Sequence, residues 1–225
     1  MTLDDAVKAL SNDVLKLIND GYVLGLGSGR AATALVRSLS SYIKENKIKI
    51  KAVPTSLQIK MEAEKGEIPI VEADQIEQID LVFDGADQID ENRNMIKGGG
   101  GALLREKILI GIARKVIIIA DESKFVKNLN KSVPIEVHPF ARNIAIKQLQ
   151  EFGGKSVLRL IERGYPFVTE NGNIILDCDF GEISAPRDLA KKIIEIPGVM
   201  EVGIFSRKPD IIYKIKENGK FDVVT

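Results

Sequence analysis

Short runs of β-branched residues alternate with helical patterns along the first half of the chain. The runs predict strands at Tyr22–Leu26, Ile48–Val53, Ile68–Val71, Ile79–Phe83 and Val116–Ala120. The patterns between and before them predict helices at Leu3–Asn19, Ala32–Glu45 and Ser56–Lys65. Such alternation is typical of a mostly parallel sheet with helices on both faces. We therefore predict an α/β fold with a Rossmann-like sheet.

The second half of the chain has a different order of elements. The predicted elements, in chain order, are a strand at Ile135–Val137, a helix at Phe140–Phe152, a strand at Val157–Ile161, a hairpin strand at Ile174–Asp177, a helix at Arg187–Glu195 and a strand at Val199–Phe205. Asn171-Gly172 favours a type I′ turn in the hairpin. The order βαββαβ is that of a ferredoxin-like α+β domain.

These patterns predict two domains. We place a Rossmann-like catalytic domain at 1–129 and 206–225, and a small ferredoxin-like domain at 130–205. The tail reads as a hairpin of Ile211–Ile215 and Phe221–Val224, which we expect to return to the first domain.

Composition limits the classes of function. Lys plus Arg number 32, as do Asp plus Glu, so the chain has no net charge to attract nucleic acid or an anionic membrane. No apolar run reaches the roughly 18 residues of a transmembrane helix, and the first residues do not resemble a signal peptide. A single cysteine and a single histidine cannot form a disulfide or a His/Cys zinc cluster within one chain. We expect a cytoplasmic protein in which Cys178 and His138 have structural roles.

The segment from Asp84 to Glu106 is the strongest candidate for an active site. It joins two carboxylates, a lysine, four consecutive glycines and a glutamate within one crossing from strand to helix. Glycine loses more backbone freedom on folding than any other residue, so four in a row indicate close approach of the backbone to a ligand. Polar loops follow four of the predicted strands, and the carboxyl ends of parallel strands are where ligands bind in such sheets.

Glu106 lies on a predicted helix, 102–115, that is apolar almost all round and should be buried. A buried carboxylate is poorly solvated, which suits a general base. Pairing with a neighbouring basic side chain is the structural alternative. Lys97 and the N–H groups of Gly98, Gly99 and Gly100 would stabilise a developing oxyanion.

Asp84 and Asp87 follow the end of the predicted strand Ile79–Phe83. They are candidates for acid/base work, and turn capping is the structural alternative. Together with Asp90 they could also bind a hard cation, although Lys97 nearby would repel it.

The loop GLGSG at 25–29 opens a helix and predicts an anion site. The backbone N–H groups at Gly27 and Gly29 would face a phosphate and Ser28 would add a hydroxyl donor. Arg30 would be either paired to the phosphate or solvated. The loop lacks the last glycine of a dinucleotide fingerprint and the lysine of a P-loop, which favours a small phosphorylated metabolite over a nucleotide. A tight turn without ligand is the alternative.

Taken together, these motifs resemble the ribose-5-phosphate isomerase family of the A type, over essentially the whole chain. The matching segments are GLGSG at 25–29, PTS at 54–56, DGAD at 84–87, KGGGGALLREKI at 97–108, ADESK at 120–124, NGNIILD at 171–177 and IPGVMEVGIF at 196–205. The resemblance implies a cofactor-free interconversion of ribose 5-phosphate and ribulose 5-phosphate in the non-oxidative pentose phosphate pathway, by a homodimer or homotetramer.

The resemblance also implies roles for individual residues. Glu106 would move a proton between C2 and C1 through an enediolate, and Asp84 would assist ring opening. Lys97 would hold the oxyanion and Asp87 a sugar hydroxyl.

Phosphate would bind the 27–29 loop with help from Lys8 and Lys124. Arg30 and Ala31 stand where the family commonly has serine and threonine, so either Arg30 compensates or the backbone holds the phosphate. The rival functions are a sugar-phosphate sensor, a sugar-phosphate deaminase and an acyl-CoA transferase.

Overall fold

The computed structural model of the chain describes residues 10–225, which divide into two compact units. The first unit comprises the chain up to Ala86, Arg105–Lys124 and Pro209–Thr225. The second unit comprises Asp87–Leu104 and Phe125–Lys208. The sequence-based division, with its small domain at 130–205, differs from this grouping mainly in where residues 87–104 belong.

Within residues 10–225 we label thirteen strands and the five α-helices that begin after residue 15. In chain order the strands are β1 (Val23–Leu26), β2 (Lys51–Pro54), β3 (Ile79–Gly85), β4 (Gln88–Ile89), β5 (Met95–Ile96), β6 (Ala113–Asp121), β7 (Val133–Val137), β8 (Lys155–Leu158), β9 (Ile174–Asp179), β10 (Val199–Val202), β11 (Ile204–Phe205), β12 (Ile211–Ile215) and β13 (Phe221–Val224). The helices are α1 (Gly29–Asn46), α2 (Leu57–Lys65), α3 (Leu103–Ile112), α4 (Arg142–Glu151) and α5 (Pro186–Ile194).

The first unit is built on a six-stranded sheet of order β13-β12-β6-β3-β1-β2. Every neighbouring pair is parallel except β12 with β13. The predicted mostly parallel sheet is therefore confirmed. The predicted return of the tail hairpin is also confirmed, because β12 pairs with β6 and covers its edge.

Alternating side chains of this sheet pack against helices on its two faces. Leu26 and Phe83 belong to one core cluster with apolar residues of α1 and α2. Gly25 faces the other way, where a side chain would contact Val82 of β3 and Leu109 of α3. A sheet buried on both faces explains why its strands read as continuous apolar runs in the sequence.

The second unit contains the predicted ferredoxin-like arrangement. Its four-stranded sheet has the order β10-β7-β9-β8 and is antiparallel throughout. The helices α4 and α5 contribute Leu149 and Ile193 to its core, where they join Ile135 and Val137 of the central strand β7. Strands β4 and β5 form a separate small sheet with β11, which is why residues 87–104 group with this unit.

Local sequence signals explain where the helices begin. Ser56 caps α2 by accepting a hydrogen bond from the backbone N–H of Ile59 (3.3 Å). Helix α5 begins with Pro186, carries Asp188 in its first turn, and has Lys191 and Lys192 in its last turn. These charges complement the helix dipole.

The predicted strand Ile68–Val71 is wrong. Its only strand-like contact is an isolated parallel bridge between Ile70 and Ala52 of β2. Pro69 has no N–H, so the segment cannot extend a ladder along the edge of β2.

The predicted turn type at Asn171-Gly172 is also wrong. A type I′ turn needs positive φ at both central residues, but in the described chain only Gly172 of this pair has one (φ 80°). The Asn171 side chain instead donates a hydrogen bond to Oε1 of the buried Glu136 (2.9 Å). This long-range bond sets the conformation of the turn.

The predicted single strand Val199–Phe205 is divided at Gly203 into β10 and β11. The Gly203 N–H donates to the Pro134 carbonyl (2.7 Å), while its own carbonyl accepts from Lys97 (2.9 Å). The chain thereby passes from the large sheet of the second unit to the small one.

Replacing Gly203 with alanine should destabilise the protein by about 1–3 kcal/mol, the usual cost of overpacking. A Cβ there would lie 2.5 Å from the Lys97 carbonyl oxygen and 2.7 Å from that of Pro134, and neither backbone atom can turn away. Urea unfolding measures the change. Gly111→Ala is the control, because this exposed position on α3 has open space for a methyl group. Equal stability of the Gly203→Ala and parent proteins would contradict the prediction.

The predicted helix Leu3–Asn19 falls partly on residues 1–9, which lie outside the described residues. Of the remainder, residues 10–15 are helical. Across residues 10–225, the helices are all too short or too polar to cross a bilayer.

Candidate active site

The glycine loop after β1 allows Asp84 to approach the backbone closely. The Gly27 N–H donates to the Phe83 carbonyl of β3 (2.7 Å), which continues the pairing of the two strands. The predicted orientation of this N–H towards a phosphate is therefore wrong. A Cβ at Gly27 would overlap the Asp84 carboxyl group. Glycine is therefore required at 27 by the position of this acid.

Asp84 is a buried carboxylate, with 2% of its surface exposed. Strand β3 extends to Gly85, so Asp84 lies within the strand end, whereas the sequence placed it just beyond. Its Oδ1 accepts a hydrogen bond from the Gly85 N–H (2.7 Å). The carboxyl group is thus held at the carboxyl edge of the sheet, where α/β proteins bind ligands.

Glu106 lies in the first turn of α3 and is 3% exposed, so its predicted burial is confirmed. Its Oε1 accepts a hydrogen bond from the Ser28 hydroxyl (2.5 Å). The structural alternative was a neighbouring basic partner, whereas the partner of Oε1 is a hydroxyl group 78 positions away in the chain. The first turn of a helix also favours a negative charge.

Ser28 is the N-cap residue of α1, but its hydroxyl does not cap that helix within the described chain. The sequence predicted this hydroxyl as a donor to an anion, but in the structure it donates to Glu106. Gly29 follows with φ 87°, a backbone conformation that residues with a side chain rarely adopt. The exposed Arg30 lies in the first turn of the helix. The loop therefore leads into the N-terminus of α1 and also donates a hydrogen bond to the candidate base Glu106.

Lys124 is half-buried and ends a short 3-10 helix, Glu122–Lys124, that directly follows β6. Parallel pairing of β6 with β3 places the end of β6 at the same edge of the sheet as Asp84. Lys8, the other predicted phosphate contact, lies outside the described residues.

The second unit holds Asp87 and the glycine run. Asp87 is half-buried, and its Oδ2 accepts a hydrogen bond from the Gly99 N–H (2.7 Å). Gly98 has φ 104° and Gly101 has φ 84°, and the Gly101 N–H donates to the Gly98 carbonyl (2.9 Å). The run is a tight turn at whose ends only glycine is readily accommodated.

Lys97 is 3% exposed and directly follows β5. Its Nζ lies 5.5 Å from the centroid of the Phe205 ring, within range of a cation–π interaction. Few lysines are buried so completely, because an ammonium group loses water there. An ammonium group in this position would interact favourably with a negatively charged group of a ligand.

The predicted site residues thus fall into two groups. Gly27, Ser28, Asp84 and Glu106 lie together in the first unit, whereas Asp87, Lys97 and Gly98–Gly100 belong to the second. Asp84 and Asp87 are three positions apart in the chain.

Asp90, one of the three carboxylates considered for a cation site, is engaged in hydrogen bonds. Both carboxylate oxygens of Asp90 accept hydrogen bonds from Asn94, one from its N–H and one from its side chain (2.8 Å each). Residues 10–225 contain no group of three or more His, Cys, Asp or Glu side chains placed to hold a metal ion.

His138 is exposed, and its Nδ1 accepts a hydrogen bond from the Phe140 N–H (3.3 Å), which caps the short helix Pro139–Ala141. Cys178 is buried and receives a hydrogen bond from the Ser156 hydroxyl (3.2 Å). Both residues have the structural roles that the sequence indicated.

The Cys178 thiol should react very slowly with Ellman's reagent in the native protein at pH 8. Burial raises the pKa of this thiol to about 11, so the reactive thiolate is scarce at that pH. Denaturation in guanidinium chloride should restore ordinary reactivity, which provides the control within the same sample. Rapid labelling of the native protein would contradict the prediction.

Buried carboxylates and a glycine loop such as 25–29 at the carboxyl ends of parallel strands are typical of α/β enzymes. The family model for ribose 5-phosphate isomerase A (phosphoriboisomerase A) matches residues 51–219. The chain belongs to the ribose-5-phosphate isomerase A family, as its sequence motifs predicted.

Individual relatives are similar over the same extent. Ribose-5-phosphate isomerase A of Methanocaldococcus jannaschii is 39% identical over 224 residues, which covers 98% of each chain. The Archaeoglobus fulgidus protein of that name is 43% identical and covers 86% of this chain and 87% of its own. A solved structure of D-ribose-5-phosphate isomerase in complex with phospho-erythronic acid has a TM-score of 0.94 at 38% identity, covering 100% of this chain and 99% of that one.

The sequence did not indicate Arg159, which contacts the glycine run at 98–101. It directly follows β8 and contacts carbonyl groups of the glycine run. The available signal was a charged residue inside the alternating apolar segment Val157–Ile161.

Proposed function

We propose that the chain interconverts D-ribose 5-phosphate and D-ribulose 5-phosphate. The observation that carries the proposal is its likeness, along its whole length, to an isomerase solved with phospho-erythronic acid. That acid combines a phosphate and a carboxylate on a short hydroxylated carbon chain. The chemistry requires a base near a sugar carbon and an anion site for phosphate, and the first unit offers candidates for both.

Glu106 is the proposed base. It would take the proton from C2 of the open-chain aldose and return it to C1, through an enediolate. Burial leaves its carboxylate poorly solvated, and the Ser28 hydroxyl fixes one of its oxygens. A general base of this kind typically accelerates a reaction by about 10²–10⁴-fold.

The other candidate residues have complementary roles in the proposal. Asp84 would exchange protons with the ring oxygen and the hydroxyl at C1 during ring opening. Lys97 and the N–H groups of Gly98 and Gly100 would stabilise the charge of the enediolate, because a buried ammonium interacts strongly with a nearby anion. The Gly99 N–H is already bonded to Asp87, so Gly99 would act through this carboxylate. Asp87 would accept a hydrogen bond from a sugar hydroxyl.

The phosphate would lie against Gly27, Ser28 and Gly29 at the start of α1. The Gly27 N–H is already bonded to the Phe83 carbonyl, so the N–H groups of Ser28 and Gly29 would be the donors. A helix N-terminus offers backbone N–H groups and a favourable dipole to such a group. Arg30 is exposed in this first turn and would add a positive charge. Lys124 and Lys8 complete the proposed phosphate contacts.

We also propose that the enzyme works in the cytoplasm as a homodimer or homotetramer. Family resemblance supports the assembly, and the single buried cysteine suits a reducing compartment. Light scattering coupled to size exclusion would determine the number of subunits, and a monomer at working concentration would contradict this part.

The proposed activity is tested by incubating the protein with ribose 5-phosphate in D₂O and recording NMR spectra. We expect signals of ribulose 5-phosphate, with deuterium at C1, because a carboxylate base exchanges its proton with solvent. Unphosphorylated ribose is the control substrate and should react poorly. Turnover should persist after dialysis against EDTA. Failure to convert ribose 5-phosphate would refute the proposal.

A further inference from the structure

Arg159 makes an unusually complete set of hydrogen bonds around the glycine run of the second unit. Its Nε and Nη2 donate to the two carboxylate oxygens of Asp177 (2.8 and 2.5 Å). Its Nη1 donates to the carbonyls of Gly98 (2.9 Å) and Gly99 (3.0 Å). A planar guanidinium can make all four bonds at once, which a lysine ammonium cannot do in this geometry.

The arginine is itself held firmly. Its backbone N–H donates to the Ile175 carbonyl and its carbonyl accepts from Phe167 (2.9 Å each). The Phe167 ring lies against its guanidinium, with a centroid distance of 5.8 Å. The same ring fills the space where a Cβ of Gly101 would lie. Arg159 and Phe167 together hold the run near both of its ends.

The hairpin that carries Phe167 is anchored in turn by a buried carboxylate. Oε1 of Glu136, which is 0% exposed, accepts hydrogen bonds from side chains of three hairpin residues (2.9 Å each). These donors are Thr169, Asn171 and Asn173. Such charge-assisted bonds are stronger than neutral ones, so Phe167 rests on a rigid support.

The bonds of Arg159 determine where the N–H groups of the glycine run point. In a trans peptide the C=O and N–H groups point in opposite directions. Because the Gly98 carbonyl faces Arg159, the Gly99 N–H faces away from it, and this N–H donates to Asp87. The Gly99 carbonyl also faces Arg159, so the Gly100 N–H points away from the arginine as well.

We infer that Arg159 is a positioning residue, which holds the two peptide groups between Gly98 and Gly100 so that the Gly99 N–H faces Asp87 and the Gly100 N–H faces the substrate. The part concerning substrate rests on the proposed isomerase function. The orientation of the loop is a property of the second unit and can be measured without substrate.

Four variants test the inference: Arg159→Met, Arg159→Lys, Asp177→Asn and Arg142→Met. Arg159→Met should lower kcat by about 10²-fold, the size of effect seen when reacting groups are displaced by an ångström. KM should change less than kcat. Arg159→Lys should recover part of the rate, and added guanidinium ion should partly rescue Arg159→Met. Asp177→Asn keeps Arg159 and its bonds to the carbonyls, so it should retain most of the rate.

The exposed Arg142 of the same unit is the matched control, and Arg142→Met should behave as the parent. Backbone hydrogen exchange provides the second readout. Exchange of the Gly99 N–H should accelerate in Arg159→Met and stay unchanged in Arg142→Met, with or without substrate.

The inference is overturned if Arg159→Met and Asp177→Asn lose equal activity and equal thermal stability while Gly99 exchange stays at the parent rate. That result would make Arg159 a partner in an ordinary ion pair. A parent protein that fails to isomerise ribose 5-phosphate would refute the proposed function instead, and Gly99 exchange would still decide whether Arg159 positions the loop.

Discussion

Replacing Glu106 with glutamine should lower kcat for ribose 5-phosphate by about 10²–10⁴-fold, the range that a general base contributes. Glutamine has nearly the same shape and can still accept the hydrogen bond from Ser28 through its amide oxygen. It cannot take a proton from carbon. The loss should therefore appear in kcat, with KM and the circular dichroism spectrum close to those of the parent.

Glu62→Gln is the matched control for this experiment. Glu62 is also a glutamate on a helix, and the hydrogen bond from Arg37 lowers the pKa of its carboxyl group. Its substitution should leave kcat unchanged, since its partners are Arg37 and Lys65, whose side chains are 58% and 69% exposed, and not residues of the candidate site. If Glu106→Gln turned over substrate as fast as Glu62→Gln, Glu106 would have no part in proton transfer.

Gly27→Ala should reduce both stability and activity. The added methyl group would overlap the Asp84 carboxyl, which is buried in the end of β3 and has little room to move. Overpacking of this kind typically costs about 1–3 kcal/mol of unfolding free energy. Displacement of Asp84 should lower kcat by about 10²-fold as well, because the acid would no longer be aligned with the sugar.

Gly111→Ala again separates the local clash from a general effect of removing glycine. Alanine at this exposed helical position should stabilise the protein by about 0.5–1 kcal/mol and leave kcat unchanged. Urea unfolding and steady-state kinetics on the same preparations give both quantities. A Gly27→Ala protein with the kcat of the parent would show that the position of Asp84 does not matter for turnover.

The sequence predicted those features that follow from local pattern. Apolar strand runs that alternate with helical patterns indicated a parallel sheet. The order of elements in the second half indicated the ferredoxin-like unit. Apolar neighbours on both sides of Glu106 predicted its burial. Each of these inferences depends on residues within one element or its immediate flanks.

The features that escaped prediction depend on partners distant in the chain. Ser28 and Glu106 are 78 positions apart, so their hydrogen bond has no local signature. Gly203 divides a strand because two backbone carbonyls approach it closely. The Asn171 side chain donates a hydrogen bond to the buried Glu136, and the turn does not have the type I′ conformation that the local sequence favours.

The edge of β6 is covered by β12, a strand that follows the second unit in the chain. A ribosome must therefore release most of the second unit before the large sheet can be completed. Until then, β6 presents unpaired backbone groups of the kind that promote association between nascent chains. Shortening this polypeptide before Ile211 would make that transient hazard permanent.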